Sequence, residues 1–317
     1  MAEFVLKRLL SALPVLLLVT LISASIMHLV PGDPAVIIAG QNASDAEVQQ
    51  VRAALGLDRP FIERLGAWYA GLARGDLGQS LLLNRPVSEA IVERLPVTLA
   101  LAGFALLLTV VIGVPAGMIA ALRANTVVDQ AVLVVALAGV SVPNFWLSLM
   151  LIVAFGVWLD VLPAGGYIPF ADDPVGWVKC LILPGVSLAL LQIGLLARIT
   201  RATMLEVLRQ DYIRTARAKG LPVFKVVGQH ALRNVMVPVV TVVGISFGLL
   251  LSGSVVIETV YSIPGLGRLL ASAIFGRDYP VIQGGLLVTA VMLVLLNLCV
   301  DLLYAVIDPR VKNDGRS

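Results

Sequence analysis

The hydrophobic residues of this chain gather in six long runs that polar segments separate. A helix needs about 20 mostly apolar residues to cross a hydrocarbon layer about 30 Å thick, because lipid offers no hydrogen-bond partner to an open backbone. Each run is long enough to cross. The predicted spans cover residues 9–30, 97–122, 131–159, 180–200, 235–257 and 281–307. The third span contains Pro143, which predicts a kink or a tilt.

Composition supports one membrane domain over residues 1–317. The chain is 59% hydrophobic and 14% charged, with a mean hydropathy of +0.95. Soluble domains are about 45–50% apolar and about 25% charged, and a water-soluble core could not hide this much apolar surface. The pattern therefore predicts an all-α, polytopic membrane protein with six transmembrane helices.

The positions of the basic residues predict how the chain is oriented. If the N-terminus lies inside, most of the 23 lysines and arginines fall in cytoplasmic segments, as the positive-inside rule requires. Acidic residues lean to the other side. Both termini are then cytoplasmic, and residues 31–94 form a periplasmic loop between helices 1 and 2.

The periplasmic loop contains a helix start signal. Ser44 is followed three residues later by Glu47, which is the spacing of a capping box. A short amphipathic helix is expected from there to Leu55, before Gly56 ends it. We interpret the segment as a small cap on the membrane face, with a flexible spacer as the alternative.

The most basic segment is the cytoplasmic loop of residues 200–234. It is rich in helix formers, and Gly220-Leu221-Pro222 is a helix stop, so a short helix is expected from Asp211 to Lys219. Its charges alone could reflect the positive-inside rule or contacts with anionic lipid. The small residues Thr215, Ala216 and Ala218 stand among the basic ones, however, and this favours insertion into a groove of a soluble partner.

Motifs along nearly the whole chain resemble those of one family. The loop motif is Asp211-Tyr212-Ile213-Arg214-Thr215-Ala216-Arg217-Ala218-Lys219-Gly220, followed by His230-Ala231-Leu232-Arg233-Asn234 and Pro238. The others are Pro31-Gly32-Asp33-Pro34, Leu55-Gly56-Leu57-Asp58-Arg59-Pro60, Gly75-Asp76-Leu77-Gly78-Gln79-Ser80, Glu258-Thr259-Val260, Pro264-Gly265-Leu266-Gly267, Arg277-Asp278-Tyr279-Pro280, Asp301-Leu302-Leu303-Tyr304 and Asp308-Pro309-Arg310. In this order they resemble the ABC importer permeases of the dipeptide, oligopeptide and nickel class, within the binding-protein-dependent transport system permease family.

The resemblance implies a type I ABC importer permease fold in the bacterial inner membrane. It also implies a second homologous permease subunit, two ATP-binding subunits, a periplasmic or lipid-anchored substrate-binding protein, and import of peptides, with glutathione and nickel chelates as other cargoes of the class. Residues 211–220 would then be the ATPase-coupling segment. One departure is that the broader family has Glu-Ala-Ala where this chain has Arg214-Thr215-Ala216.

The sequence lacks the phosphate-binding loop Gly-x-x-x-x-Gly-Lys-[Ser/Thr], so ATP and Mg are expected on the partner ATPase subunits, with no cofactor or metal on this chain. The chain is accordingly not expected to be an enzyme. Gly244-Ile245-Ser246-Phe247-Gly248 matches a serine hydrolase motif, but that motif needs a strand, a turn and a helix, and here it lies inside one apolar run.

The fifth predicted span offers a candidate translocation path. Gly244, Gly248 and Ser252 recur every four residues along one narrow helix face, and Ser246 adds a polar position. Small faces of this kind also pack helix against helix, so packing remains the alternative.

Asp301 in the sixth span needs a partner, because a charge inside the membrane is costly. Arg198 and Arg201 are the hypothesised partners. The competing function is an ion-coupled secondary transporter, which would show two similar halves and need no ATPase.

Overall fold

The computed structural model describes residues 2–29, 34–40, 43–54, 56–80 and 82–307. Three family motifs extend outside these residues, at 31–33, Leu55 and 308–310. Within the described chain there are thirteen helices and two short strands. They are α1 (Ala2–Leu29), α2 (Pro34–Ala39), α3 (Asp45–Ala54), α4 (Phe61–Leu72), β1 (Gln79–Ser80), β2 (Arg85–Pro86), α5 (Val87–Leu122), α6 (Val127–Ser141), α7 (Asn144–Leu151), α8 (Pro174–Leu208), α9 (Asp211–Ala218), α10 (Val223–Lys225), α11 (Leu232–Val260), α12 (Leu266–Gly276) and α13 (Tyr279–Ile307), with π-helical turns at Ile152–Trp158 and Val226–Ala231.

Five of the described helices, α1, α5, α8, α11 and α13, are long and apolar enough to cross a membrane. The third predicted span is a pair, α6 and α7, that is bent by 102°. The bend is at Pro143, and Val142 before it is extended (φ −90°, ψ 123°), because the proline ring excludes the helical conformation from the preceding residue. The six-span prediction is thus confirmed if the bent pair counts as one span.

Several helices run past their predicted ends. α5 begins at Val87, inside the segment predicted as periplasmic loop, and α8 continues beyond Thr200 to Leu208, inside the predicted coupling loop. Spans read from hydropathy end where polar residues begin, whereas a helix continues as long as its backbone bonds are made. The loop boundaries of 31–94 and 200–234 stay predictions, because a helix can continue beyond the membrane surface.

The chain forms two compact units. The first contains residues 1–97 and 264–295, and the second contains residues 98–263 and 296–317. The single domain of residues 1–317 stays a prediction.

The first unit is stabilised by a small apolar cluster and by hydrogen bonds. The cluster joins the first turns of α5 and α13 to α12 and contains Val87, Ala90, Ile91, Leu266, Leu269, Leu270, Ala273, Tyr279, Val281 and Ile282. The Ser80 hydroxyl, at the end of β1, donates to the buried carboxylate of Asp278. Strands β1 and β2 pair antiparallel, with Gln79 opposite Pro86.

The predicted capping box is present at the start of α3. The Glu47 carboxylate accepts from the backbone N–H of Ser44 at 2.7 Å, and the Ser44 hydroxyl accepts from the N–H of Glu47 at 3.4 Å. The backbone N–H and the hydroxyl of Ser44 both donate to the Glu47 carboxylate, and these two bonds lower the pKa of Glu47.

The second unit is built around α8, which packs against α6, α7 and α11. Glycines let the helices approach closely. A Cβ on Gly117 would lie 2.4 Å from the carbonyl oxygen of Ala197, and one on Gly194 would lie 2.7 Å from that of Ala136. Without side chains at these crossings, backbones pack directly on each other, as is common between membrane helices.

Candidate functional site

Helix α9 lies in the connection between α8 and α11 and matches the predicted helix of residues 211–219, with Lys219 as its C-cap. It ends as the sequence predicts. Gly220 has a positive φ of 76°, its N–H bonds the carbonyl of Arg217 at 2.9 Å, and the N–H of Leu221 bonds that of Ala216 at 3.4 Å. These two bonds form a Schellman motif, which favours glycine in the left-handed position.

One face of α9 is buried in an apolar cluster that also contains residues of three long helices. Ile213 and Ala216 are the buried residues of α9. They belong to an apolar cluster with Val114 and Ala121 of α5, Leu196, Met204 and Val207 of α8, Val226, Val227 and Ala231 of the π-helical turn, and Val235 and Val239 of α11. Helix α9 itself contacts α8 and the π-helical turn that leads into α11, and residues of α5 belong to the same cluster.

The remaining residues of the predicted coupling segment are exposed: Asp211, Tyr212, Arg214, Thr215, Arg217, Ala218, Lys219 and Gly220. Arg214 contacts Asp211 at 3.1 Å, but both side chains are mostly exposed, and such a pair contributes little to stability. Asn234 at the start of α11 donates to the Tyr212 hydroxyl at 2.6 Å, which ties α9 to that span. The exposed face of α9 is mainly basic and includes the small residues Thr215 and Ala218.

Two exposed apolar residues beside α9 escaped the sequence-based prediction. Val223 and Phe224 follow Pro222 on the short helix α10, and they are 61% and 86% exposed. A phenylalanine this exposed suggests contact with a partner. The signal was present in Pro222-Val223-Phe224-Lys225, where bulky apolar residues stand in a basic loop. We define the coupling surface as the exposed residues of 211–220 together with Val223 and Phe224.

A partly buried ion pair joins α8 to α6 in the second unit. Arg201 of α8 donates from Nε and Nη2 to the two carboxylate oxygens of Asp129, at 2.5 and 2.7 Å. Asp129 also accepts from the backbone N–H of Asn125, at 2.9 Å, in the turn between α5 and α6. The hypothesis that Arg198 or Arg201 pairs with Asp301 stays a prediction, and the observed carboxylate partner of Arg201 is Asp129.

The four predicted path residues of α11 do not share one surface. Gly244 is buried, and a Cβ there would lie 2.5 Å from a methyl carbon of Val300. Ser246 is buried and donates to Oε1 of Gln192 on α8 at 3.0 Å, so the hydrolase-like motif lies within a packed helix. Gly248 is half-buried and Ser252 is exposed.

The exposed face of α11 is a continuous stripe that contains Ser252. Its members recur every three or four residues and are Thr241, Ile245, Leu249, Ser252, Val256 and Thr259. Val256 also lines a cavity of about 390 Å³ at the bend between α6 and α7, together with Ser141, Pro143 and Asn144. The stripe and the cavity are mainly apolar, with scattered hydroxyl and amide groups.

Among the described residues, no group of three or more His, Cys, Asp or Glu side chains is arranged to hold a metal ion.

The chain is similar to known membrane transport proteins. Residues 113–313 match the family described as "Binding-protein-dependent transport system inner membrane component", and residues 1–102 match the corresponding N-terminal family. A Brucella abortus protein named as a peptide transport system permease is 50% identical over 99% of this chain and 100% of its own. The dipeptide transport system permease protein DppB of Escherichia coli K12 is 40% identical over 99% of both chains.

A solved structure shares the fold. It is titled as an inward-facing conformation of the MetNI methionine ABC transporter and aligns with a TM-score of 0.57, at 19% identity, over 70% of this chain and 97% of its own. The type I ABC importer permease fold expected from the sequence is thereby confirmed.

Proposed function

This chain belongs to the family of binding-protein-dependent transport system inner membrane components, the permeases of ABC importers, and from that premise we propose that it forms half of a peptide path across the bacterial inner membrane. Relatives named for peptide and dipeptide transport support peptides as the cargo. The observation that carries the proposal is the seating of α9. It is a short helix with an exposed basic face, packed on α8 and on the π-helical turn that leads into α11.

The coupling surface is the docking site for an ATP-binding subunit. ATP and Mg are bound by two such subunits, and this chain supplies no catalytic residue. When the ATPase pair closes, it displaces α9, and the packing of Ile213 and Ala216 carries the movement to α5, α8 and α11. The exposed cations of α9 are expected to pair with acidic side chains on the ATPase surface, and they are Arg214, Arg217 and Lys219. At the position of Arg214, other permeases of the family have a glutamate.

The orientation follows from the same surface. If α9 meets a soluble ATPase, its side of the membrane is the cytoplasm, and both termini lie on that side. The exposed arginines and lysines of residues 209–233 support this orientation through the positive-inside rule. Residues 31–94 then face the periplasm, where a substrate-binding protein delivers cargo.

The translocation path runs along the exposed stripe of α11 and the cavity beside Asn144, facing a second homologous permease subunit. Hydroxyl and amide groups at Ser252 and Asn144 can bond a peptide backbone without selecting a side chain. Gly244 and Ser246 shape the path indirectly by packing α11 against α13 and α8. A weakly polar path suits an importer whose binding protein selects the cargo.

Reconstitution of the purified assembly into vesicles tests the proposal. The chain is isolated with a tag from its own membranes, its companions are identified by mass spectrometry, and labelled di- and tripeptide uptake is measured with and without ATP. We expect two ATP-binding subunits, a second permease and uptake that requires ATP. Uptake by the chain alone, driven by a proton gradient without ATP, would establish a secondary transporter instead.

A further inference from the structure

The bent pair α6 and α7 has non-helical backbone near its middle. Helix α6 contributes 15 residues before the break, and α7 with its π-helical turn contributes 8 and 7 residues after it. The two non-helical residues are Val142 and Pro143. Such backbone is tolerated at membrane depth only where it is buried in protein or lines an aqueous cavity, because lipid offers it no hydrogen-bond partner.

The backbone of Val142 has an unused donor and an unused acceptor. Within the described chain its N–H donates to no acceptor and its carbonyl accepts from no donor, whereas the carbonyl of Pro143 accepts from the N–H of Leu147 at 3.0 Å. Val142 is extended, and the N–H and carbonyl of an extended residue point to the same side. It therefore resembles one residue of an open sheet edge.

Val142 lines the cavity of about 390 Å³ at the bend, together with Asn144. The carboxamide of Asn144 is half-buried and has no hydrogen bond to any other residue that the structure describes. The Ser141 hydroxyl, by contrast, already donates to the carbonyl of Leu137 at 2.9 Å. The other walls are apolar and come from α6, α7, α8 and α11: Val140, Phe145, Leu191, Gly253 and Val256.

The main chain of an extended peptide is complementary to this arrangement. One peptide residue can exchange two hydrogen bonds with Val142, as residues opposite each other do in an antiparallel sheet. Every amino acid except proline offers the same N–H and carbonyl, so this pairing does not select among side chains. Two bonds that replace bonds to water hold a peptide weakly, and weak holding lets it leave again.

We propose that Val142 is a one-residue strand edge that pairs with the main chain of a peptide in transit, with the Asn144 carboxamide bonding the neighbouring peptide group. This inference rests on the proposed function, since it takes the transported peptide as the ligand. It goes further in assigning recognition to the backbone of the broken span and in requiring that the peptide pass in an extended conformation.

Replacement of the Val142 amide by an ester tests the site, because the α-hydroxy analogue of valine removes the N–H and keeps the side chain. The complete importer is reconstituted in vesicles with an excess of peptide-loaded binding protein. We expect the amount of labelled tripeptide taken up per ATP hydrolysed to fall about three- to tenfold. Val142→Ala keeps both backbone groups and should stay within about twofold of the unaltered protein.

The same ester at Val127 is the matched control. Val127 is the first residue of α6, is 79% exposed and does not line the cavity, and the first N–H of a helix has no intrahelical partner. This ester should leave uptake unchanged. The proposal is overturned if the ester at Val142 transports like the unaltered protein, or if the ester at Val127 or Val142→Ala lowers uptake as much.

A modified cargo tests the unaltered protein and needs no variant to fold. A tripeptide methylated at both amide nitrogens cannot donate to the Val142 carbonyl. With the binding protein saturated by either peptide, uptake per ATP hydrolysed should be about three- to tenfold lower for the methylated one. Equal uptake of the two peptides overturns the inference and leaves the proposed function standing. The proposed function itself fails if the unaltered importer shows no ATP-dependent uptake of any peptide.

Discussion

Arg201 and Asp129 form a two-point ion pair that joins α8 to the first turn of α6. The same carboxylate holds the N–H of Asn125 in the preceding turn. The pair thus fixes the α5–α6 turn to α8, close to the end of α8 that leads into α9. Under the proposed function, movement of the coupling surface would reach this pair through α8.

Loss of this pair should weaken both the fold and the coupling. Asp129→Asn leaves the buried end of Arg201 without its counter-charge, so we expect a lower melting temperature and less ATP-driven uptake per ATP hydrolysed. Arg201→Lys should recover only part of the function, because an ammonium cannot make the two parallel bonds of a guanidinium. Thermal unfolding and the ratio of peptide taken up to phosphate released measure the two effects.

A double variant separates pairing from other roles of the two residues. Asp129→Asn with Arg201→Gln should lower the melting temperature by less than the sum of the single variants, since neither charge is left alone. Strictly additive effects would show that the pair does not act as a unit.

Local signals in the sequence predicted local structure well. The capping box at Ser44 and Glu47 and the glycine stop at Gly220 are each decided within a few residues, and both are present. Pro143 likewise predicts a break, but its angle of 102° depends on how α6 and α7 each pack against α8. The bend angle could therefore not be predicted from the sequence alone.

Long-range partners were beyond prediction for a different reason. The sequence suggested Arg198 and Arg201 as partners of Asp301, because Asp301 lies inside an apolar run. Asp129 stands in the first turn of α6, outside the predicted span of residues 131–159. The pairing of Arg201 with Asp129 depends on the crossing of α6 and α8, which close packing at Gly194 permits.

Gly220 should be needed for its backbone conformation rather than for space. A Cβ there would meet nothing within 4 Å, yet φ is +76°, so Gly220→Ala should cost about 1–2 kcal/mol locally. The expected result is fraying of the end of α9 and weaker recovery of ATP-binding subunits. Gly220→Asn should be milder, because asparagine tolerates the left-handed region.

Gly228→Ala is the control for that variant. Gly228 is also exposed and also has open space at its Cβ, but its φ is not positive. Alanine should therefore be neutral there in both subunit recovery and melting temperature. Equal losses at the two glycines would mean that the φ of Gly220 is not what matters.

Gly244 is expected to be a packing residue. Its Cβ would lie 2.5 Å from a methyl carbon of Val300, so Gly244→Ala should destabilise the chain by about 1–3 kcal/mol, as overpacking does. Gly253→Ala should cost less, since its Cβ would meet only the end of Leu188, at 3.0 Å. Melting in detergent compares the two variants.

Val300→Ala in the Gly244→Ala background should restore part of the lost stability by making room for the new methyl group. If uptake falls in Gly244→Ala while stability does not, Gly244 acts as a path residue and the packing interpretation is wrong.

Phe224 should matter to the assembly and not to the fold. Its side chain is 86% exposed, so Phe224→Ala should change the free energy of unfolding of the isolated chain by no more than about 0.5 kcal/mol. The same variant should lose ATP-binding subunits during purification, because a buried aromatic side chain often dominates an interface.

Phe275→Ala provides the matched comparison. Phe275 is 88% exposed on α12, in the segment between α11 and α13, and it does not belong to the coupling surface. Its replacement should leave the ATP-binding subunits attached. If Phe224→Ala also retains those subunits, Phe224 does not belong to the coupling surface. The exposed cations of α9 would then bind the partner, and high salt should weaken that binding steeply.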